Sequence, residues 1–82
     1  MKEDINETFG KVIKQLREER GLSQQELADY SELDRSYISD MERGRYNPTL
    51  HTVYKLAEIL KIKPNEILQK VDKLLKLLVP NL

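Results

Sequence analysis

Ser23 and Asp34 stand eleven positions apart, each ahead of a run that reads as helix. That spacing leaves room for two helices of about two turns each with a tight turn between them. The first start signal is a capping box. The Ser23 hydroxyl is placed to serve an orphan backbone donor of the first turn, and Glu26 to reach back to the Ser23 amide. A helix from Gln24 follows, with Leu27 and Ala28 turned inward. Leu33, in the turn, is placed to pin the pair together, and Asp34 is expected to cap the second helix. At about 100° per residue, Ile38 and Met41 fall on one side of that helix. Arg35, Ser36, Ser39, Asp40 and Arg43 form a continuous strip elsewhere, too polar to be core. Gly44 suits the left-handed residue that ends a helix. Asn47-Pro48 marks a turn before a further helix capped by Thr49. Paired short helices occur in many small all-α domains, and a charged strip is often only a solvated face.

Apolar spacing supplies the remaining helices. Phe9, Val12, Ile13 and Leu16 recur at i, i+3, i+4 and i+7, one face of an amphipathic helix ending near Gly21. Leu50, Val53, Leu56, Ala57 and Leu60 supply the inward face of a fourth helix. Pro64 fits the first position of a fifth, with Asn65 and Glu66 near the positive end of its dipole and Lys63 as an unusual cap. Within it Ile67, Leu68 and Val71 are assigned to core closure. Leu74, Leu75, Leu77 and Leu78 are then a surplus that a small monomer would leave exposed. A symmetric dimer would bury them. A membrane-surface helix, with Lys70, Lys73 and Lys76 on an acidic surface, is the alternative the residues leave open.

The chain is neutral overall, with 14 Lys plus Arg against 14 Asp plus Glu among 82 residues. Residues 23–48 carry three Arg against six acids, a balance of −3, whereas residues 49–82 carry six Lys against three acids, a balance of +3. A nucleic-acid binder built this way cannot rely on bulk attraction, and low non-specific affinity with a modest salt dependence is expected. With no cysteine there is no disulfide or thiolate site, and a single histidine, His51, cannot build a metal centre. No glycine-rich phosphate loop and no paired base and nucleophile point to catalysis. No cofactor or small-molecule ligand is expected. The N-terminal run Met1-Lys2-Glu3-Asp4 opens no apolar leader, and no apolar stretch approaches membrane-spanning length, which points to a cytoplasmic protein with no membrane partner.

The pattern Leu22-Ser23-Gln24, Glu26-Leu27-Ala28, then Ile38-Ser39, Glu42-Arg43-Gly44 and Asn47-Pro48 resembles the Cro/repressor-type (Xre-like) helix-turn-helix family over about residues 9 to 68. Leu33-Asp34-Arg35-Ser36-Tyr37 resembles its branch of restriction-modification controller proteins. The resemblance implies an all-α, five-helix, lambda-repressor-like domain over residues 1–82. Its helix-turn-helix is formed by helices 2 and 3, and a C-terminal helix over 64–79 contributes to dimerisation. It implies a sequence-specific transcriptional regulator that binds two-fold related half-sites of double-stranded DNA as a homodimer and controls its own gene, with RNA polymerase as a further partner. A phage-type repressor and an antitoxin-like autoregulator are the other roles the family offers, and an interaction module with a degenerate reading helix is the rival from a different class.

On that basis Arg35 and Ser36, in the first turn of the second short helix, are candidates for base contact, since Arg matches the paired acceptors of guanine. Ser39 could meet a base or a phosphate. Asp40 would be repelled by phosphates and would accept from a cytosine amine if it reaches a base. Tyr37 is open between a thymine methyl, a phosphate and simple packing, and Tyr46 between a backbone contact and loop packing. Gln24, Arg43, Arg45 and Asn47 are the phosphate candidates. Arg17, at the edge of the first apolar face, and Glu42, beside Ile38, are expected to form a structural ion pair, a role matching positions in the family also suggest.

Overall fold

The computed structural model describes residues 2–78, with side chains described for residues 5–76. Five α-helices follow one another, α1 (Lys2–Glu19), α2 (Gln24–Ser31), α3 (Arg35–Glu42), α4 (Leu50–Leu60) and α5 (Pro64–Leu78), with no strand among the described residues. The apolar spacing of α1 turns Phe9, Val12, Ile13 and Leu16 into the core, all at 5% exposure or less. Around them gather Leu27 and Ala28 of α2, Ile38 and Met41 of α3, Val53, Leu56, Ala57 and Leu60 of α4, and Ile67 and Val71 of α5. Burying each large side chain contributes about 1.5–3 kcal/mol, which offsets the ordering of so short a chain.

Local chemistry sets the helix ends. In α2 the capping box is formed: the Ser23 hydroxyl accepts from the Glu26 amide at 3.0 Å, and Glu26 Oε1 accepts from the Ser23 amide at 2.9 Å. Thr49 caps α4 in the same way, its Oγ1 accepting from the Thr52 amide at 3.1 Å. Asp34 departs from expectation. It occupies the N-cap position of α3 with extended backbone, but its carboxylate makes no cap hydrogen bond, so any help it gives comes from charge at the positive helix end. At α5 the cap is inverted. The Lys63 side chain has no acceptor to offer, and the Glu66 carboxylate takes the Lys63 amide at 3.1 Å.

The C-terminal helix also corrects the apolar assignment. Leu75, expected among the surplus, is 8% exposed and closes the core with Val71, while Leu74 is half-buried against it. Leu68, expected inside, is 51% exposed, and Leu50 of α4 is 74% exposed. The cause is the breadth of the stripe: α5 packs chiefly against α1, and that neighbour selects Ile67, Val71 and Leu75, at i, i+4 and i+8, over Leu68. Leu50, first in its helix, lies a turn ahead of the inward residues Val53, Leu56, Ala57 and Leu60. The side chains of Leu77 and Leu78 lie outside the described residues.

Two glycines allow α1 to rest on the end of α3. A Cβ at Gly10 would lie 2.5 Å from the backbone oxygens of both Met41 and Glu42, and one at Gly44 would lie 2.7 Å from Glu7 Cα. Gly44 also takes a left-handed φ of 82° as the chain leaves α3. The C-terminal turn of α3 is therefore held against α1 backbone to backbone.

Candidate nucleic-acid interface

Beneath the exposed side of α3 lies a buried polar brace. Arg17 of α1 donates from Nε to Glu42 Oε2 at 2.7 Å and from Nη2 to Oε1 at 3.0 Å, a two-pronged contact between residues only 7% and 8% exposed. The remaining guanidinium nitrogen, Nη1, donates to the Leu22 carbonyl at 2.8 Å. The hydrogen bond to Glu42 raises the Arg17 pKa above the ordinary guanidinium value, burial opposing it. Gln24 completes the brace, its Nε2 donating to Glu42 Oε1 at 3.0 Å. Gln24, a phosphate candidate at the start of α2, thus gives one of its two amide N–H groups to Glu42. Its half-buried side chain links α2 to α3.

The polar strip of α3 faces outward. Arg35 and Ser36 in the first turn are exposed, Ser39 and Asp40 are half-exposed, and Arg43, Arg45 and Asn47 continue the exposed surface into the loop after the helix. Asp40 lies between the arginines, with Oδ1 at 3.5 Å from Arg43 Nη1 and 3.8 Å from Arg45 Nη1. Tyr37 is half-buried beside the core and stacks on Tyr46, ring centroids 5.1 Å apart and planes inclined by 24°. The two tyrosines thus pack on one another across the exit loop, at a separation that favours offset stacking. His51 is exposed in the first turn of α4, away from any cluster that could hold a metal ion among the described residues.

Three features escaped the sequence. The Arg17–Glu42 pair proves to have Gln24 as a third member, for which the only signal was its position at a helix start. Arg20, in the turn just after α1, donates from Nε to the Leu60 carbonyl at 2.7 Å and from Nη2 to the Lys61 carbonyl at 3.4 Å, closing the C-terminal end of α4, although nothing local marks it. Gly10 lies mid-helix, where a glycine ordinarily weakens the helix. That cost was the one available hint of a close helix contact.

A short two-helix unit, braced from below by a buried ion pair and presenting the start of its second helix to solvent, defines a DNA-reading module of the helix-turn-helix class. The helix-turn-helix family pattern matches residues 13–67. The chain is 46% identical to the restriction-modification controller protein C.AhdI from Aeromonas hydrophila, whose crystal structure superposes with a TM-score of 0.72 over 74% of this chain and 92% of that one. The controller protein C.Esp1396I, solved as a tetramer in complex with its natural 35-base-pair operator, is 32% identical with a TM-score of 0.76 over 84% of this chain and 91% of that one. The immunity repressor of Bacillus phage phi105 is 47% identical over 60 residues, 73% of this chain but 42% of the repressor. The chain belongs to the helix-turn-helix family, in its Xre-like branch, and is a DNA-binding transcriptional regulator. The family is one of regulators rather than enzymes. No helix among the described residues is long and apolar enough to cross a membrane.

Proposed function

We propose that this regulator works as a restriction-modification controller, a symmetric pair of copies occupying operator DNA upstream of its own gene in the cytoplasm. The exposed strip led by Arg35 and Ser36, mounted on the buried brace, carries this reading. In the proposed complex the first turn of α3 enters the major groove, Arg35 takes the guanine O6 and N7 acceptors, and Ser36 and Ser39 contact base edges or the adjacent backbone. Arg43, Arg45 and Asn47 of the exit loop take phosphates. Gln24 gives one amide N–H to Glu42 and keeps the second for a phosphate at the N-terminus of α2, whose free backbone amides can face the same group. Tyr37, stacked on Tyr46, shapes the edge of the reading surface.

Pairing is proposed across α4 and the start of α5. Leu50 and Tyr54, one turn apart on α4, are 74% and 63% exposed, and Leu68, one turn beyond Pro64, is 51% exposed. Between the helices runs a groove of about 550 Å³ lined by His51, Tyr54, Ile62, Lys63 and Pro64 among others. With Leu75 already inside the chain, this line is the more economical apolar surface for a second copy, Leu74 lying outside it as a half-buried residue. Two α3 helices about 34 Å apart would then meet successive major grooves on one side of the duplex. In this scheme regulation depends on concentration: a strong site fills first, then an adjacent one, and RNA polymerase is admitted or blocked accordingly.

Footprinting of the DNA upstream of the gene tests the proposal directly. Protection of paired, symmetric half-sites is expected, and an unprotected upstream region sinks autoregulation. Sedimentation at micromolar concentration should show a dimer that Tyr54→Asp converts to monomer; a wild-type monomer overturns the pairing. The identity with the phage immunity repressor favours a second reading, that of a phage-type repressor. Neighbouring methyltransferase and endonuclease genes decide for the controller, and phage genes for the repressor.

A further inference from the structure

We infer that Asp40 restrains Arg43 and Arg45 and thereby limits binding to duplexes that offer its carboxylate a donor, an inference that rests on the DNA-reading role proposed above. Asp40 holds both arginines at two levels. Its carbonyl accepts the Arg43 amide at 3.2 Å and the Arg45 amide at 3.0 Å, which fixes the backbone of the loop. Its Oδ1 faces both guanidinium groups, at 3.5 and 3.8 Å. The arginine side chains are 59% and 66% exposed and that of Asp40 is 29% exposed. Pairs this open are weak and exchange readily, so they contribute little to the fold.

Their consequence is felt when a duplex arrives. Arg43 and Arg45 must leave Asp40 to reach phosphates, and the carboxylate then faces a polyanion across a surface losing its water. Only a base-edge amine, such as cytosine N4, supplies the missing partner. A duplex without one in reach meets an unpaired negative charge, within a segment already carrying three Arg against six acids. Asp40 thus weakens binding everywhere except where the sequence answers it, and selectivity comes from a penalty as well as from contacts.

The test compares the wild-type chain, Asp40→Asn and Asp40→Glu by fluorescence anisotropy over a range of salt concentrations. Two duplexes are used: one enriched from a randomised pool by the wild-type chain, and a scrambled version of it. Asp40→Asn should bind the scrambled duplex about three- to tenfold more tightly, with a salt slope steeper by about one per subunit, and the ratio of enriched to scrambled affinity should fall. Asp40→Glu, which keeps the charge, should stay near wild type on the scrambled duplex, and the melting temperature of Asp40→Asn should not move. Unchanged or weaker binding of Asp40→Asn to the scrambled duplex overturns the inference, because Asp40 would then position the arginines or read a base without restraining them. A wild-type chain that enriches no duplex sinks the reading role itself. That failure is distinguishable, since the wild-type and Asp40→Asn chains can still be compared on an arbitrary duplex, which needs only phosphate binding.

Discussion

Helix α3 carries two acids that each face arginine, and the two sites behave oppositely. Glu42 meets Arg17 in the interior at 2.7 and 3.0 Å, with Gln24 as a third partner. Asp40 meets Arg43 and Arg45 at the surface at 3.5 and 3.8 Å. The same chemistry is architecture in one place and an exchangeable contact in the other. Water makes the difference, because a buried charge stripped of its partner has no solvent to replace it, whereas an exposed one does.

Removing a partner on each side breaks the comparison most directly. Arg17→Ala should destabilise the domain by about 3–5 kcal/mol, leaving Glu42 buried without its counter-charge, and thermal denaturation reads this as a fall of more than about 10 °C. Unchanged stability with loss of DNA affinity alone would reverse the assignment and put Arg17 in the interface. The folded Arg17 pKa lies above its ordinary value. Its share of the stability is therefore fully present below that ordinary value and is lost only as pH rises through the raised one, so a melting series from neutral to mildly alkaline pH should show no loss traceable to Arg17. Next in size, Gly10→Ala should cost about 1–3 kcal/mol in the same measurement, because the new methyl meets backbone oxygens of Met41 and Glu42 that cannot rotate away.

The exposed side should leave the melting curve alone and move binding instead. Arg35→Ala should lower the discrimination between enriched and scrambled duplexes by about 1–3 kcal/mol while stability stays within about 0.5 kcal/mol; a large melting shift would place Arg35 in the fold. Smallest and most uniform should be Arg45→Ala, which weakens all duplexes alike and reduces the salt slope by about one per subunit. A sequence-selective loss would make it a base reader.

How much of this was legible in the sequence depends on how local the cause is. Ser23 with Glu26, and Thr49 ahead of α4, act within one turn and were readable, as were the inward faces of α1 and α3. Leu68 and Leu75 could not be sorted, because the stripe of α5 is wider than any one contact and its partner α1 lies far away in sequence. Asp34 was placed correctly as a cap position, but whether its carboxylate closes a hydrogen bond depends on torsions the sequence does not print. The Asp40 cluster joins a helix to a loop, and Gly10 answers to backbone on another helix, so neither leaves a periodic trace. The strip itself was visible as residues too polar for the interior, although the commitment of Gln24 to the brace was not.

The contact at Gly10 has a consequence for retargeting. α3 is held on α1 by main chain against main chain at Gly10 and by the Arg17–Glu42 pair, and none of Arg35, Ser36 or Ser39 takes part in either. A library varying only those three positions should therefore yield folded proteins with the helix at one constant angle, each presenting a different edge to the groove. The frame and the message are carried by different atoms, so the message can be rewritten without recutting the frame.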